Sequence, residues 1–151
     1  MTLEESKSIK LSEHFTLYEL IHTNHNIYNI PNKFEQSNLS KLVNNVLEPI
    51  RRQYGNPIIV TSGYRCPMLN NKVGGVSSSL HVHGNAVDFK SNTGSNTELM
   101  NAVREAVQYY KIDARTIIFE HCNADKTDCE WIHIDQNDKY HSYRNNRIVY
   151  A

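Results

Sequence analysis

The stretch Ser79-Leu80-His81-Val82-His83-Gly84-Asn85-Ala86-Val87-Asp88-Phe89 decides how this chain is read. Its second half, Ala86 to Phe89, is a short apolar run with the character of a strand, yet a carboxylate stands inside it. Its first half is a loop carrying two histidines, and Gly84 permits a tight turn before the strand. Such a turn brings the imidazole of His81 and the carboxylate of Asp88, seven positions on, to one point. A metal site needs a third ligand, and His133 in Trp131-Ile132-His133-Ile134-Asp135 is the candidate. Two neutral imidazoles and one carboxylate on Zn²⁺ leave a fourth position for water, the pattern of a catalytic rather than a structural zinc. The plainer alternative makes His81 and His83 loop residues, Asp88 a turn cap and His133 a satisfied strand histidine. It leaves a carboxylate inside an apolar strand unexplained.

Outward from this stretch, the periodicities alternate between helix and strand. Phe15 to Ile21 reads as a short helix, with Thr16 and Glu19 at capping-box spacing. A loop rich in Asn, His and Thr follows, ending near Pro31. Leu39, Leu42, Val43, Val46, Leu47 and Ile50 form one apolar stripe, predicting a long helix over 33–54 that Pro49 should kink or reset and Gly55 should stop. Ile58 to Thr61 is a β-branched strand, broken by Ser62-Gly63. Pro67 to Val73 makes a helical turn that Gly74-Gly75 ends. After the strand at 86–89, a helix is expected over 96–110 with Leu99, Val103, Ala106, Val107 and Tyr110 inward. Thr116–Glu120, Trp131–Asp135 and Ile148–Tyr150 supply three more strands. The loop of about nine residues between the first two of these is too short for a parallel crossover, so they should pair antiparallel. Helices first and paired strands late give an α+β fold, a small antiparallel sheet packed against helices.

A chain of 151 residues suits one domain, taken as 11–151, with a polar and loosely held segment over 1–10. Sixteen basic residues balance sixteen acidic ones, which gives no electrostatic ground for a nucleic acid or an anionic membrane as partner. No run approaches the ~20 apolar residues of a membrane span. The N-terminus lacks the apolar core of a signal peptide, so synthesis in a cytoplasm is expected. Three cysteines make no complete disulfide framework; Cys122 and Cys129 are near enough to bridge a loop, which a reducing compartment disfavours. Their spacing is not a usual one for zinc thiolates either. A monomer is the default.

The pattern Ser-x-His-x-x-Gly-x-Ala-x-Asp at 79–88, followed by Trp131-Ile132-His133, resembles the M15 peptidase family. These are zinc D-Ala-D-Ala carboxypeptidases and bacteriophage peptidoglycan peptidases, related in fold to the hedgehog signalling domain. The likeness to the small phage-type branch extends to Phe15–Leu20, Val46–Arg51, Thr61-Ser62-Gly63-Tyr64-Arg65-Cys66-Pro67 and the Leu-Asn-x-x-Val-Gly-Gly run at 69–75. It implies a hedgehog/DD-peptidase-like domain holding one Zn²⁺ on His81, Asp88 and His133, with His83 outside the ligand set. It implies that Arg65 reaches the site and holds a substrate carboxylate or the developing oxyanion, work that suits a guanidinium. Tyr64, Ser79 and Trp131 are placed with it as substrate-binding candidates, the last two with a plainer reading: Ser79 as a turn cap, Trp131 as core.

Two glutamates compete to be the general base beside the zinc. Several M15 branches carry an acidic residue three before the last histidine, which is Glu130 here. The small phage-type branch commonly closes the preceding strand with a glutamate, here Glu120. If Glu130 lies within the strand, its odd offset from His133 turns it to the other face, which favours Glu120. The implied activity is hydrolysis of the peptide stem or cross-link of peptidoglycan, by an endolysin, a virion-associated enzyme or a D,D-carboxypeptidase. The enzyme would act at the cell wall or periplasm, after holin release or within a virion. The alternative is a non-catalytic, zinc-stabilised module that binds wall peptide or protein. Which bond is cut depends on the loops at 22–31, 91–96 and 121–129.

Overall fold

A computed structural model of the chain describes residues 1–136 and 148–151. The elements run α1 (Leu3–Ser6), α2 (Leu17–Ile21), α3 (Lys33–Leu42), a π-helical turn (Val43–Leu47), α4 (Glu48–Tyr54), β1 (Ile58–Ser62), α5 (Pro67–Lys72), a 3₁₀ turn (Leu80–His83), β2 (Ala86–Ser91), α6 (Thr97–Tyr109), β3 (Thr116–Glu120), β4 (Trp131–Asp135) and β5 (Ile148–Tyr150). The fold is α+β, with one five-stranded sheet in the order β1-β2-β4-β3-β5.

Local chemistry sets most boundaries. Thr16 and Glu19 close both halves of the capping box that starts α2, and Asn32 with Glu35 does the same for α3. The helix expected over 33–54 forms along its whole length, but Pro49 changes its hydrogen bonding rather than ending it. Proline offers no N–H to the preceding turn, and its ring crowds the carbonyl four residues back. The chain widens just before it, and the Glu48 N–H reaches the Val43 carbonyl, five residues away. The whole expected stripe, Leu39 to Ile50, is fully buried. In α6, Leu99, Val103 and Ala106 are buried, but Tyr110 is 38% exposed rather than inward. The helix ends at Tyr109, and Tyr110 at its cap meets the Tyr109 ring edge-on at 4.8 Å.

The sheet is antiparallel from β1 through β3, as expected. The fifth strand departs from that pattern and lies parallel to β3. The connection from β3 to β5 runs over residues 121–147 and includes β4, well beyond the dozen residues that a parallel pair needs. Alternation divides the sheet into two faces. Val87, Phe89, Ile117, Phe119, Ile132 and Ile134 face the helices and are buried. Asp88 and Lys90 on β2, Trp131, His133 and Asp135 on β4, and Ile118 and Glu120 on β3 share the other face by parity.

Glu48 ties the N-terminal segment to the helices. Its buried carboxylate accepts from Ser12 Oγ at 2.7 Å, from the His14 backbone at 2.8 Å and from His14 Nδ1 at 2.8 Å. Among the described residues, no helix is long and apolar enough to cross a membrane.

Candidate metal centre

The site begins where β1 ends. The β1–β2 register slips between Val60 and Ser62, which sets Ser62 opposite Asp88. Gly63 follows, and only glycine fits: a Cβ there would lie 2.1 Å from the Leu20 carbonyl oxygen, to which the Tyr64 N–H donates at 2.7 Å. The Gly63 carbonyl in turn receives His81 Nδ1 at 2.7 Å. That bond assigns the proton to Nδ1 and turns the Nε2 lone pair toward Asp88 Oδ2, 3.4 Å away. His81 is held there by the 3₁₀ turn, whose start Ser79 caps by accepting from the His81 N–H at 3.3 Å. Gly84 closes the turn at φ +76, packed so near α3 that a Cβ would come within 2.6 Å of the Glu35 carbonyl.

Asp88 and His133 are directly opposed in the β2–β4 ladder, with Asp88 Oδ1 2.8 Å from His133 Nδ1. On its far side, His133 Nε2 lies 2.8 Å from Asp135 Oδ2. Asp135 is gripped by Arg115, with Nε donating to Oδ1 at 2.9 Å and Nη2 to Oδ2 at 3.1 Å. Burial works against charge on His133, but its hydrogen bonds to Asp135 and Asp88 and their negative charges outweigh it and push its pKa up to about 9. Burial likewise opposes the Asp88 carboxylate, yet hydrogen bonds from His133 and His81 hold it well below the usual carboxylate range.

The ligand atoms of His81, Asp88 and His133 all lie within 4.8 Å of one another. Bonds of ~2.0–2.1 Å in a tetrahedron set ligand atoms about 3.3 Å apart, which the His81–Asp88 spacing of 3.4 Å meets. Both histidines also have their second nitrogen held, one by a carbonyl and one by a carboxylate, as metal-bound imidazoles require. The residues therefore fit a divalent zinc. His83 is exposed and outside the group, its carbonyl accepting from Asn38. Cys66, Cys122 and Cys129 are free thiols. Burial pushes the Cys129 thiol up to about 12.

Arg65 is brought to the same point. Its Nε donates to Ser62 Oγ at 2.9 Å, Nη1 to Asn70 Oδ1 at 3.3 Å and Nη2 to Asp88 Oδ2 at 3.4 Å. Its backbone N–H donates to the His81 carbonyl at 3.0 Å, so the Arg65 turn and the histidine turn are stitched together. Tyr64 lies in the core, 5% exposed, where burial and the neighbouring Glu35 carboxylate push its hydroxyl up to about 12.

Glu120 stands opposite Trp131 in the β3–β4 ladder, and Ile118 stands opposite His133. Glu120 is thus two residues along from the residue facing His133, on the same face. Among the described residues its carboxylate takes no hydrogen bond or ion pair. Glu130 lies just before β4, exposed, with Oε2 3.1 Å from His121 Nδ1. The His121 ring lies 4.6 Å from that of half-buried Trp131.

Several positioning residues carried no role in the sequence reading. Asp135 and Arg115 orient His133. Asn29, buried, donates to the carbonyls of Ile21 and Tyr64 and accepts from the Cys66 N–H, pinning the Arg65 turn. Asn70 holds Arg65 and the Val76 carbonyl. The one available signal was Asp135, a carboxylate at the same strand parity as His133.

An α+β domain whose open sheet face gathers two imidazoles, a carboxylate and an arginine has the donor set of a metallohydrolase. The family profile described as peptidase M15 matches residues 13–135, and the chain belongs to that family, whose members are zinc peptidases. A comparison with curated proteins finds no match.

Proposed function

We propose that the chain is a zinc-dependent peptidase that cleaves the peptide stem or cross-link of bacterial peptidoglycan, acting as a monomer at the cell wall. The observation that supports it most is the convergence of His81 Nε2, Asp88 and His133 Nδ1 on a face of the sheet that also carries Glu120. Held by His81, Asp88 and His133, zinc would supply Lewis acidity toward a peptide carbonyl and an attacking water. Glu120 takes the proton of that water and delivers it to the leaving amine. Among the described residues its carboxylate has no partner, whereas that of Glu130 is engaged by His121. Arg65, fixed at three points beside Asp88, faces the negative charge that develops on the carbonyl oxygen or a substrate carboxylate. Trp131 floors the groove beside His133.

Digestion of purified sacculi with and without a chelator tests this reading. Chelator-sensitive release of fragments, restored by zinc, is the expected result, and the new termini identify the bond. A folded, zinc-loaded chain that releases nothing from diaminopimelate-type or lysine-type walls would leave the binding-module alternative.

A further inference from the structure

The sheet face does not end at the metal group. Lys90 lies two residues beyond Asp88 along β2, and Trp131 two residues before His133 along β4, so both stand about 7 Å from the ligand row on the same face. Lys90 forms the near wall of an open pocket of about 580 Å³ between the end of β2, the 91–96 loop and the 121–130 loop. Its rim is rigid. Asn96 accepts from the Ser91 N–H and donates to the carbonyls of Cys129 and Glu130. Asp128 accepts from the Asn96 and Cys129 N–H groups and from Ser95 Oγ, so both its oxygens are engaged within the rim.

Two charges remain for a ligand. Lys90 is exposed, lines the pocket, and makes no hydrogen bond or ion pair among the described residues. Glu130 lines it as well, with one carboxylate oxygen on His121. An ammonium and a carboxylate on the walls of one pocket complement a ligand that carries both charges in reverse.

We propose that this pocket holds a zwitterionic amino-acid group, –CH(NH₃⁺)COO⁻, on the side chain of a substrate residue next to the cleaved bond, with Lys90 on its carboxylate and Glu130 on its ammonium. This rests on the peptidoglycan reading above and deepens it. Of the two common residues at the third stem position, diaminopimelate ends in such a group, while lysine ends in an ammonium alone. An extended peptide advances ~3.3–3.6 Å per residue, so a pocket about 7 Å from the ligand row is one or two residues from the reacting carbonyl. The pocket therefore selects diaminopimelate-type stems.

Trp131 lies beside the pocket, its ring 4.6 Å from that of His121 on the pocket wall, and is the only tryptophan in the sequence, so its fluorescence reports filling of this groove. Zinc-loaded chain carrying Glu120→Gln, which spares bound peptide from turnover, is titrated with L-Ala-γ-D-Glu-meso-diaminopimelate and with the lysine analogue. The diaminopimelate peptide should bind about ten-fold tighter, the worth of one charge-assisted hydrogen bond in a half-open groove. Lys90→Met should erase that preference and leave the lysine peptide bound no more weakly, while Glu130→Gln should weaken both. Equal affinity for the two peptides, an equal loss for both in Lys90→Met, or no Trp131 response to either would overturn the proposal. Selective binding by a chain that leaves sacculi intact would instead uphold the pocket and sink the peptidase.

Discussion

Replacing Asp135 by Asn tests whether the chain from Arg115 to His133 sets the metal centre. One carboxylate oxygen of Asp135 takes Arg115 Nε, and the other takes both Arg115 Nη2 and His133 Nε2. An amide has only one acceptor for these donors. If its oxygen faces His133, its NH₂ meets Arg115 Nε at about the present 2.9 Å, donor against donor. If the amide flips, its NH₂ faces His133 Nε2 and drives the ring proton to Nδ1, the nitrogen that faces Asp88 and must bind the metal. Either way the lone pair is less available, and losing an outer partner of this kind costs 10–100-fold in metal affinity. That is about 1.4–2.8 kcal/mol at 1.4 kcal/mol per tenfold. The metal-free chain should also lose about 1–2 kcal/mol, the lower part of the cost of an unmet hydrogen bond, because the Arg115 side chain is 42% exposed and water can serve it. Zinc affinity by competition with a chromophoric chelator reads the first effect, and thermal melting of the metal-free chain reads the second. Wild-type zinc affinity in a folded Asp135→Asn chain would refute the positioning role, and a lower melting temperature alone would reduce Asp135 to scaffold.

Glu120→Gln should lower kcat on cleaved peptide by about 10²–10⁴-fold with zinc still bound, and Glu130→Gln should leave kcat within a few-fold; the reverse pattern would move the base to Glu130. Burial opposes the charge of Glu48, but hydrogen bonds from Ser12 and His14 outweigh it and lower its pKa. Its stabilisation is therefore present above the unfolded pKa of ~4.3 and is lost as pH falls through the folded value. Glu48→Gln should cost about 2 kcal/mol at pH 7, a melting temperature lower by about 4–8 °C, with the gap to wild type closing below about pH 4; a gap independent of pH would contradict this. Gly84→Ala and Gly55→Ala both force φ +76 on alanine, but only at position 84 would the new Cβ meet a neighbour, the Glu35 carbonyl. Gly55→Ala should cost about 1–2 kcal/mol and Gly84→Ala clearly more, with zinc affinity falling only in the second; equal costs would argue against the close approach.

What the sequence made legible follows from distance along the chain. The strand spans, the buried stripe of α3 and α4, and the turn at Gly84 are local patterns, and the structure carries them. His81 and Asp88 share one turn, and His133 could be paired with them because a carboxylate inside an apolar strand demands a partner. Asn29 was not legible, because its three hydrogen bonds reach Ile21, Tyr64 and Cys66 from a loop without periodicity. The parallel docking of β5 was hidden for the same reason: an edge strand of three residues carries no register of its own. Pro49 signalled a disturbance in the helix, but not that a π turn would absorb it, since that depends on the buried stripe holding the helix together on both sides.

The register that aligns Asp88 with His133 is not specified by those two residues. They meet because Val87 and Phe89 on β2, and Ile132 and Ile134 on β4, all point into the core and are fully buried. A slip of one residue between these strands would turn one set toward the open face and Asp88 or His133 toward the helices. Exposing even two of these side chains would cost about 3–6 kcal/mol, a large part of the 5–15 kcal/mol that holds a domain of this kind together. The hydrogen bond between Asp88 and His133 is worth only about 1.5–3 kcal/mol and could not enforce the alignment against that. The ligands are therefore set by the apolar face behind them. Substitutions there that keep volume should leave the centre intact, while a one-residue insertion in either strand should abolish it.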